Sequence, residues 1–119
     1  MKDLAPEIFR QRLLIEGRYG RDVGEPEVRA YLTGLAAHLG LRAYGEPTVH
    51  SPGGQGKPGN QGYDAFLPLV DSGIALYVWT AARFFSVVVF TCKPFTPAAA
   101  VEFTRRFFAV AGEPEFASF

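Results

Sequence analysis

Residues Phe85 to Lys93 read FSVVVFTCK, and this run constrains the fold more than any other stretch. β-Branched and aromatic residues dominate it, and both alternations are apolar. Such a run belongs to a central strand of a sheet. GIALYVW (73–79) is a second strand, and TAARF (80–84) turns the chain between the two. YDAFLPLVD (63–71) precedes them as a third. Read as a hairpin centred near Ala82, 73–79 and 85–91 pair residues whose numbers sum to twice 82, that is 164. That register sets Ser72 opposite Cys92, on strands about 5 Å apart.

The flanks supply helices. EPEVRAYLTGLAAHLG (25–40) has Pro26 in its first turn and Gly40 past its end. Val28, Tyr31, Leu32, Leu35 and Leu39 recur at helical spacing and form one buried stripe. Thr96 caps a second helix, Pro97 opens it and Gly112 ends it. Ala100, Val101, Phe103, Thr104, Phe107 and Phe108 give that helix a broad apolar face. RLLIEGRYG (12–20) puts Leu13, Ile15 and Tyr19 on one parity and Glu16 and Arg18 on a solvated one, as a strand does. LRAYGEPTVH (41–50) is a strand weakened by Gly45 and Pro47, hence placed near an edge. SPGGQGKPGNQG (51–62), with five glycines and two prolines, is a mobile loop. Residues 1–11 offer one helical turn after Pro6, and EPEFASF closes the chain as a tail.

The order β-α-β-β-β-β-α has one economical solution. Residues 1–119 form a single α+β domain, a two-layer sandwich with a mostly antiparallel sheet and both helices on one face. The other face keeps apolar side chains such as Tyr77 and Phe90. A sheet face without a helix over it calls for a partner, most simply a second copy, so a homo-oligomer is expected.

Charge and cysteine usage narrow the function classes. Twelve Lys and Arg balance twelve Asp and Glu, so no overall field draws the chain to nucleic acid or an anionic membrane. FFSVVVFTC has the aromatics of an RNA-recognition strand without the charges. The single cysteine excludes an internal disulfide and suits a cytoplasmic, reducing compartment. No stretch has the pattern of a signal peptide or a membrane span.

Several motifs carry no chemistry on their own. GGQGKPGNQGYD lacks the spacing of a phosphate loop, and no helix follows it. Its polar end is more useful: Asn60, Gln61, Tyr63 and Asp64 lead into the strand that ends at Ser72. They could line a pocket, or Asn60 and Gly62 could simply make a turn. His38 sits where a cation suits a helix end, and His50 adjoins the loop, as a surface residue or a base. Two distant histidines and one cysteine have no metal-ligand spacing. No G-x-S-x-G elbow exists for a hydrolase.

Ser72 has two readings. As structure, Ser72–Gly73 is a bend between strands and Cys92 a small buried hydrophobe. The alternative comes from a resemblance. RLLIEGRYG, the Gly-led strand GYDAFLPLVDS, then SGIALYVW and FTC resemble the bacterial S-adenosylmethionine decarboxylase family, small pyruvoyl enzymes of polyamine synthesis. The likeness runs from about Arg12 to Ala109. The family signature is Glu-Ser-His, then His-Thr-Trp-Pro-Glu, then Phe-Thr-Cys-Gly, and the serine-to-cysteine interval is the same here.

The resemblance implies an α+β fold and a chain that breaks itself between Asp71 and Ser72. Ser72 would become the pyruvoyl cofactor, a sink for the electrons released when carbon dioxide leaves a small amine or amino-acid substrate. Cys92 matches the cysteine that returns a proton to the product. Gly73 would give the attack site freedom. Several family positions differ. The two histidines fall on Gly73 and Tyr77, a phenol in place of an imidazole base. The Pro-Glu after Trp79 is Thr80–Ala81, a processing serine is Asp64, the aspartate before Phe-Thr-Cys is Val88, and the glycine after it is Lys93. Two outcomes stand open. Either Ser72, Cys92, Tyr77 and Asp71 form a rebuilt catalytic site, with Asn60, Tyr63, Asp64 and Trp79 binding substrate, or the fold serves as a non-cleaving binding module.

Overall fold

The computed structural model describes residues 1–51 and 56–119. Among these residues six strands and two α-helices follow in the order β1 (Gln11–Arg18), α1 (Glu25–His38), β2 (Thr48–His50), β3 (Gly62–Leu69), β4 (Ser72–Trp79), β5 (Phe84–Thr91), α2 (Pro97–Phe107) and β6 (Glu115–Ser118). All pairings are antiparallel, in the spatial order β2-β3-β4-β5-β1-β6. Both helices lie on one face, α1 over β2, β3 and β4 and α2 over β1. This is the α+β two-layer sandwich that the sequence implies, with β5 central as FSVVVFTCK requires.

Strand parity decides which face is buried. Leu13 and Ile15, Leu67 and Leu69, Ile74 and Leu76, Val87 and Val89 all point to the helices and are sealed from solvent. Helical spacing meets them with Val28, Tyr31, Leu32 and Leu35 from α1 and Ala100, Val101 and Thr104 from α2. Aromatic rings close the layer: Phe85 stacks on Phe108 at 4.3 Å, and Phe108 tilts against Tyr31 at 4.7 Å. Among the described residues no helix covers the other face of the sheet. Phe66, Tyr77 and Phe90 stand there 47%, 40% and 39% exposed.

Local signals behave as their chemistry dictates at α1. Pro26 opens it, the Glu27 carboxylate accepts the Gly24 N–H at 2.7 Å, and Gly40 ends it with φ 68°. At α2 two expectations fail. Thr96 occupies the cap position but makes no side-chain cap bond. The helix stops at Phe107, not Gly112, because Ala109 itself takes the left-handed conformation (φ 50°) and Val110 N–H bonds back to the Arg105 carbonyl.

Other corrections follow from pairing partners that lie far away in sequence. The expected tail contains β6, which β1 captures as an outer strand. The expected strand 41–50 shrinks to Thr48–His50, with an isolated bridge between Ala43 and Leu69 upstream, since Gly45 and Pro47 interrupt the ladder. Residues 1–10 form turns and no helix. Within the glycine-rich loop, residues 52–55, and with them the loop's expected mobility, lie outside the described residues. Pro58–Asn60 makes a short 3₁₀ turn.

The hairpin register also shifts by one. Gly73 pairs with Phe90 and Ile74 with Val89, a sum of 163 and not 164. The connection from Trp79 to Phe84 holds four residues, so its centre falls between Ala81 and Ala82. Arg83, at φ 50°, completes this turn.

Candidate functional site

The Ser72 end of the sheet is built by a hairpin with only two loop residues. Leu69 pairs with Ser72, leaving Val70 and Asp71 to turn the chain. The turn needs a positive φ at its second loop residue, and Asp71 provides it at 61°. Aspartate enters this region more cheaply than most residues. The peptide that follows it is the Asp71–Ser72 bond.

The one-residue register shift removes Cys92 from the position directly opposite Ser72, yet the two still meet. The Cys92 backbone N–H donates to Ser72 Oγ at 3.2 Å. Among the described residues this is the hydroxyl's one hydrogen bond. Ser72, Gly73, Phe66, Ala75, Val88 and Phe90 line an apolar hollow of about 320 Å³ on the helix-free face. Gly73 has a structural role different from the expected backbone freedom. It is an ordinary strand residue, and a Cβ there would stand 2.8 Å from the Phe66 ring, which lies over it.

A second, larger hollow of about 650 Å³ opens at the far end of β4. His50, Lys57, Asn60, Asp64 and Trp79 converge on it. Trp79 Nε1–H donates to Asn60 Oδ1 at 3.2 Å, and Thr80 N–H to the Gln61 carbonyl at 3.0 Å. These bonds tie the 3₁₀ turn to the β4–β5 hairpin. Gly62 permits the close approach, since a Cβ there would fall on the Val78 carbonyl oxygen.

The structure therefore groups the sequence-derived residues in two places. Asp71, Ser72 and Cys92 share one sheet end. Asn60, Asp64 and Trp79 share the other. Tyr77 faces Asp64 across β3 and β4 on the helix-free face, five residues from Ser72 and hence roughly 17 Å along the strand. Tyr63 has the opposite parity and packs against the core.

Sequence reasoning overlooked a transverse polar row. His50 pairs with Asp64, Asp64 with Tyr77, Tyr77 with Ser86, Ser86 with Glu16 and Glu16 with Glu115. Within it the Ser86 hydroxyl donates to Glu16 Oε2 at 2.7 Å. The signal was one polar residue, Ser86, in an otherwise apolar run from Phe84 to Phe90, but no local pattern shows which strands flank it. Among the described residues no group of three or more His, Cys, Asp or Glu side chains could hold a metal ion. No helix there is long and apolar enough to cross a membrane.

Comparison with known proteins bears on the family and the fold. The sequence profile described as S-adenosylmethionine decarboxylase matches residues 24–113. The crystal structure of the adenosylmethionine decarboxylase from Aquifex aeolicus VF5 superposes with a TM-score of 0.70 at 18% sequence identity, covering 94% of this chain and 89% of that one. No curated protein sequence matches this chain.

Proposed function

This chain belongs to the S-adenosylmethionine decarboxylase family, and from that premise we propose that it is a self-processing, pyruvoyl-dependent decarboxylase. Its substrate is S-adenosylmethionine or a related amine or amino acid. The observation that carries this reading is the contact at the β3–β4 hairpin. Ser72 Oγ is held by the Cys92 N–H directly after a left-handed Asp71.

Processing uses groups already present there. Ser72 Oγ attacks the Asp71 carbonyl carbon, the C–N bond breaks, and the hydroxyl proton passes to the released amine. The ester then loses the Ser72 Cα proton to a base while the Cβ–Oγ bond breaks and the Asp71 carboxylate departs. The remaining enamine takes up water and releases ammonia, which leaves a pyruvoyl group at position 72. The residues fit such a group, since position 72 borders the 320 Å³ hollow and has a backbone N–H within hydrogen-bonding distance. When formed, that group supplies a carbonyl that condenses with a substrate amine and accepts the electron pair freed with carbon dioxide.

The chain's own residues provide the surroundings. Cys92 is the proton donor to the product. Phe66 and Phe90 give the hollow an apolar wall. Asn60, Asp64 and Trp79 lie at the far end of β4, so they bind polar parts of a substrate held at the Ser72 of a second copy, with Tyr63 supporting their strand from the core side. Tyr77 is too far along β4 to serve its own Ser72, so its contribution comes from a second copy packed on the helix-free face. A homo-oligomer in the cytoplasm accommodates all of these roles.

Denaturing mass spectrometry of the purified chain tests the proposal. Two fragments, 1–71 and 72–119, are expected, and Ser72→Ala should give one intact chain. A wild-type chain that stays whole would refute self-processing. It would favour the second reading, a binding module that keeps the fold. One observation supports that alternative: among the described residues no base contacts the Ser72 hydroxyl.

A further inference from the structure

We propose that the hollow beside Ser72 takes a neutral, apolar side chain, which makes the substrate an aliphatic or aromatic amino acid. This rests on the proposed processing at Ser72 in one respect. A substrate amine joined at position 72 holds its side chain against the hollow that Ser72 borders. What enters that hollow is decided by its lining.

β4 supplies a floor without bulk, Gly73 and Ala75. The neighbouring strands supply walls. Phe66 and Val88 flank Ala75 in the register, and Phe90 flanks Gly73. The Phe66 ring, lying over Gly73, closes the side toward β3. Among the described residues Ser72 is the one polar member of this lining. Charged residues of the same face stand beyond the walls. Arg12 pairs with Phe90 from β1 and holds its guanidinium carbon 5.5 Å from the centre of the Phe119 ring. Asp64 stands two residues from Phe66 along β3. A cationic side chain in the hollow would lose water and gain no carboxylate in exchange. Phenylalanine faces attract a cation less than an indole does. A hydrocarbon side chain buries apolar area against both rings and strands no charge. The reaction is then the loss of carbon dioxide from an apolar amino acid with uptake of one proton, which yields the corresponding primary amine.

The Ser72→Ala chain separates binding from chemistry. With its methyl groups ¹³C-labelled, it would be titrated with L-norleucine and, separately, with L-ornithine, which carries an ammonium where norleucine has its terminal methyl. The methyl signals of Ala75 and Val88 report the hollow. Norleucine should shift both along a saturating curve and bind at least about tenfold tighter than ornithine, or about 1.4 kcal/mol. Adding Val88→Asp gives an ammonium its partner and should reverse the order, as read from Ala75. Ornithine that binds as tightly as norleucine would overturn the proposal, as would norleucine that moves neither methyl along a saturating curve. So would an unchanged order in a Val88→Asp chain whose methyl spectrum stays dispersed. Cleavage is read independently by mass spectrometry. A wild-type chain that stays whole while norleucine saturates these methyls refutes the decarboxylase and upholds the hollow's preference for an apolar side chain.

Discussion

The buried hydroxyl pair between the helices gives a prediction whose sign and size can be worked out. Tyr31 on α1 and Thr104 on α2 are both sealed from solvent, with their oxygens 2.7 Å apart. Thr104 Oγ1 also lies 2.7 Å from the Ala100 carbonyl, to which it donates. Its proton is therefore committed within α2, and Tyr31 must be the donor between the helices. Burial raises the Tyr31 phenol well above its ordinary value, so it keeps that proton at any ordinary pH. The two single substitutions are then unequal. Tyr31→Phe removes a donor and leaves Thr104 still bonded to Ala100, at a cost of about 0.5–1.5 kcal/mol. Thr104→Val keeps the shape but strands a buried phenol O–H, at about 1–3 kcal/mol. In the double variant no polar group is stranded, so adding Tyr31→Phe to Thr104→Val should recover roughly 1 kcal/mol or more. Urea unfolding followed by the single tryptophan, Trp79, measures all four corners. Using the Ser72→Ala chain as background keeps processing out of the comparison. If Tyr31→Phe proves the costlier single change, or if the double variant is less stable than Thr104→Val, the donor assignment and the argument built on it are wrong.

Further outcomes can be measured in the same background. Glu102 is held at about 2, first by its hydrogen bond to Arg105 and then by that to Arg106. Its folded value lies below its unfolded one, so its contribution to stability is complete above the ordinary carboxylate range and fades as pH falls toward 2. Carbon-detected titration of that carboxyl should show the low midpoint, and a midpoint in the ordinary range would discard the pair. Asp71→Val forces a β-branched residue to φ 61° and should lower stability by about 1–2 kcal/mol, whereas Asp71→Gly should not. Equal effects from the two in urea unfolding would mean that the turn is free to rearrange. Gly62→Ala brings a Cβ onto the Val78 carbonyl, a backbone atom that cannot swing aside. A loss of about 3 kcal/mol is expected, with altered Trp79 emission as the Asn60 bond breaks; a neutral result would contradict the close approach.

Part of the candidate site was legible because its elements are local in sequence. The Ser72-to-Cys92 interval placed both residues at one sheet end, although the off-by-one register changed how they meet. A five-residue guess for the turn and a four-residue loop differ by one position, and that is enough to exchange the faces of a strand. Asn60, Asp64 and Trp79 lie together, but at the sheet end away from Ser72, while Tyr63, one residue from Asp64, necessarily points the other way. The reason for Gly73 could not be read locally, since the ring that fills its missing side chain comes from β3. His50 and Glu16 joined the polar row only through pairings between distant segments.

The sequence by itself determined the helices and the strand parities. Spacing of apolar residues is a property of the chain, and a stripe or an alternation has few ways to be buried. It also determined that one sheet face would remain without a helix, because two short helices cannot cover a five-stranded sheet on both sides. Tertiary structure alone decided the register, the capture of β6, the left-handed Ala109 and the contact of the Arg12 guanidinium with the Phe119 ring. Each depends on atoms brought together across the fold, whose closeness is set by the packing of whole elements and leaves no trace in any short stretch of chain.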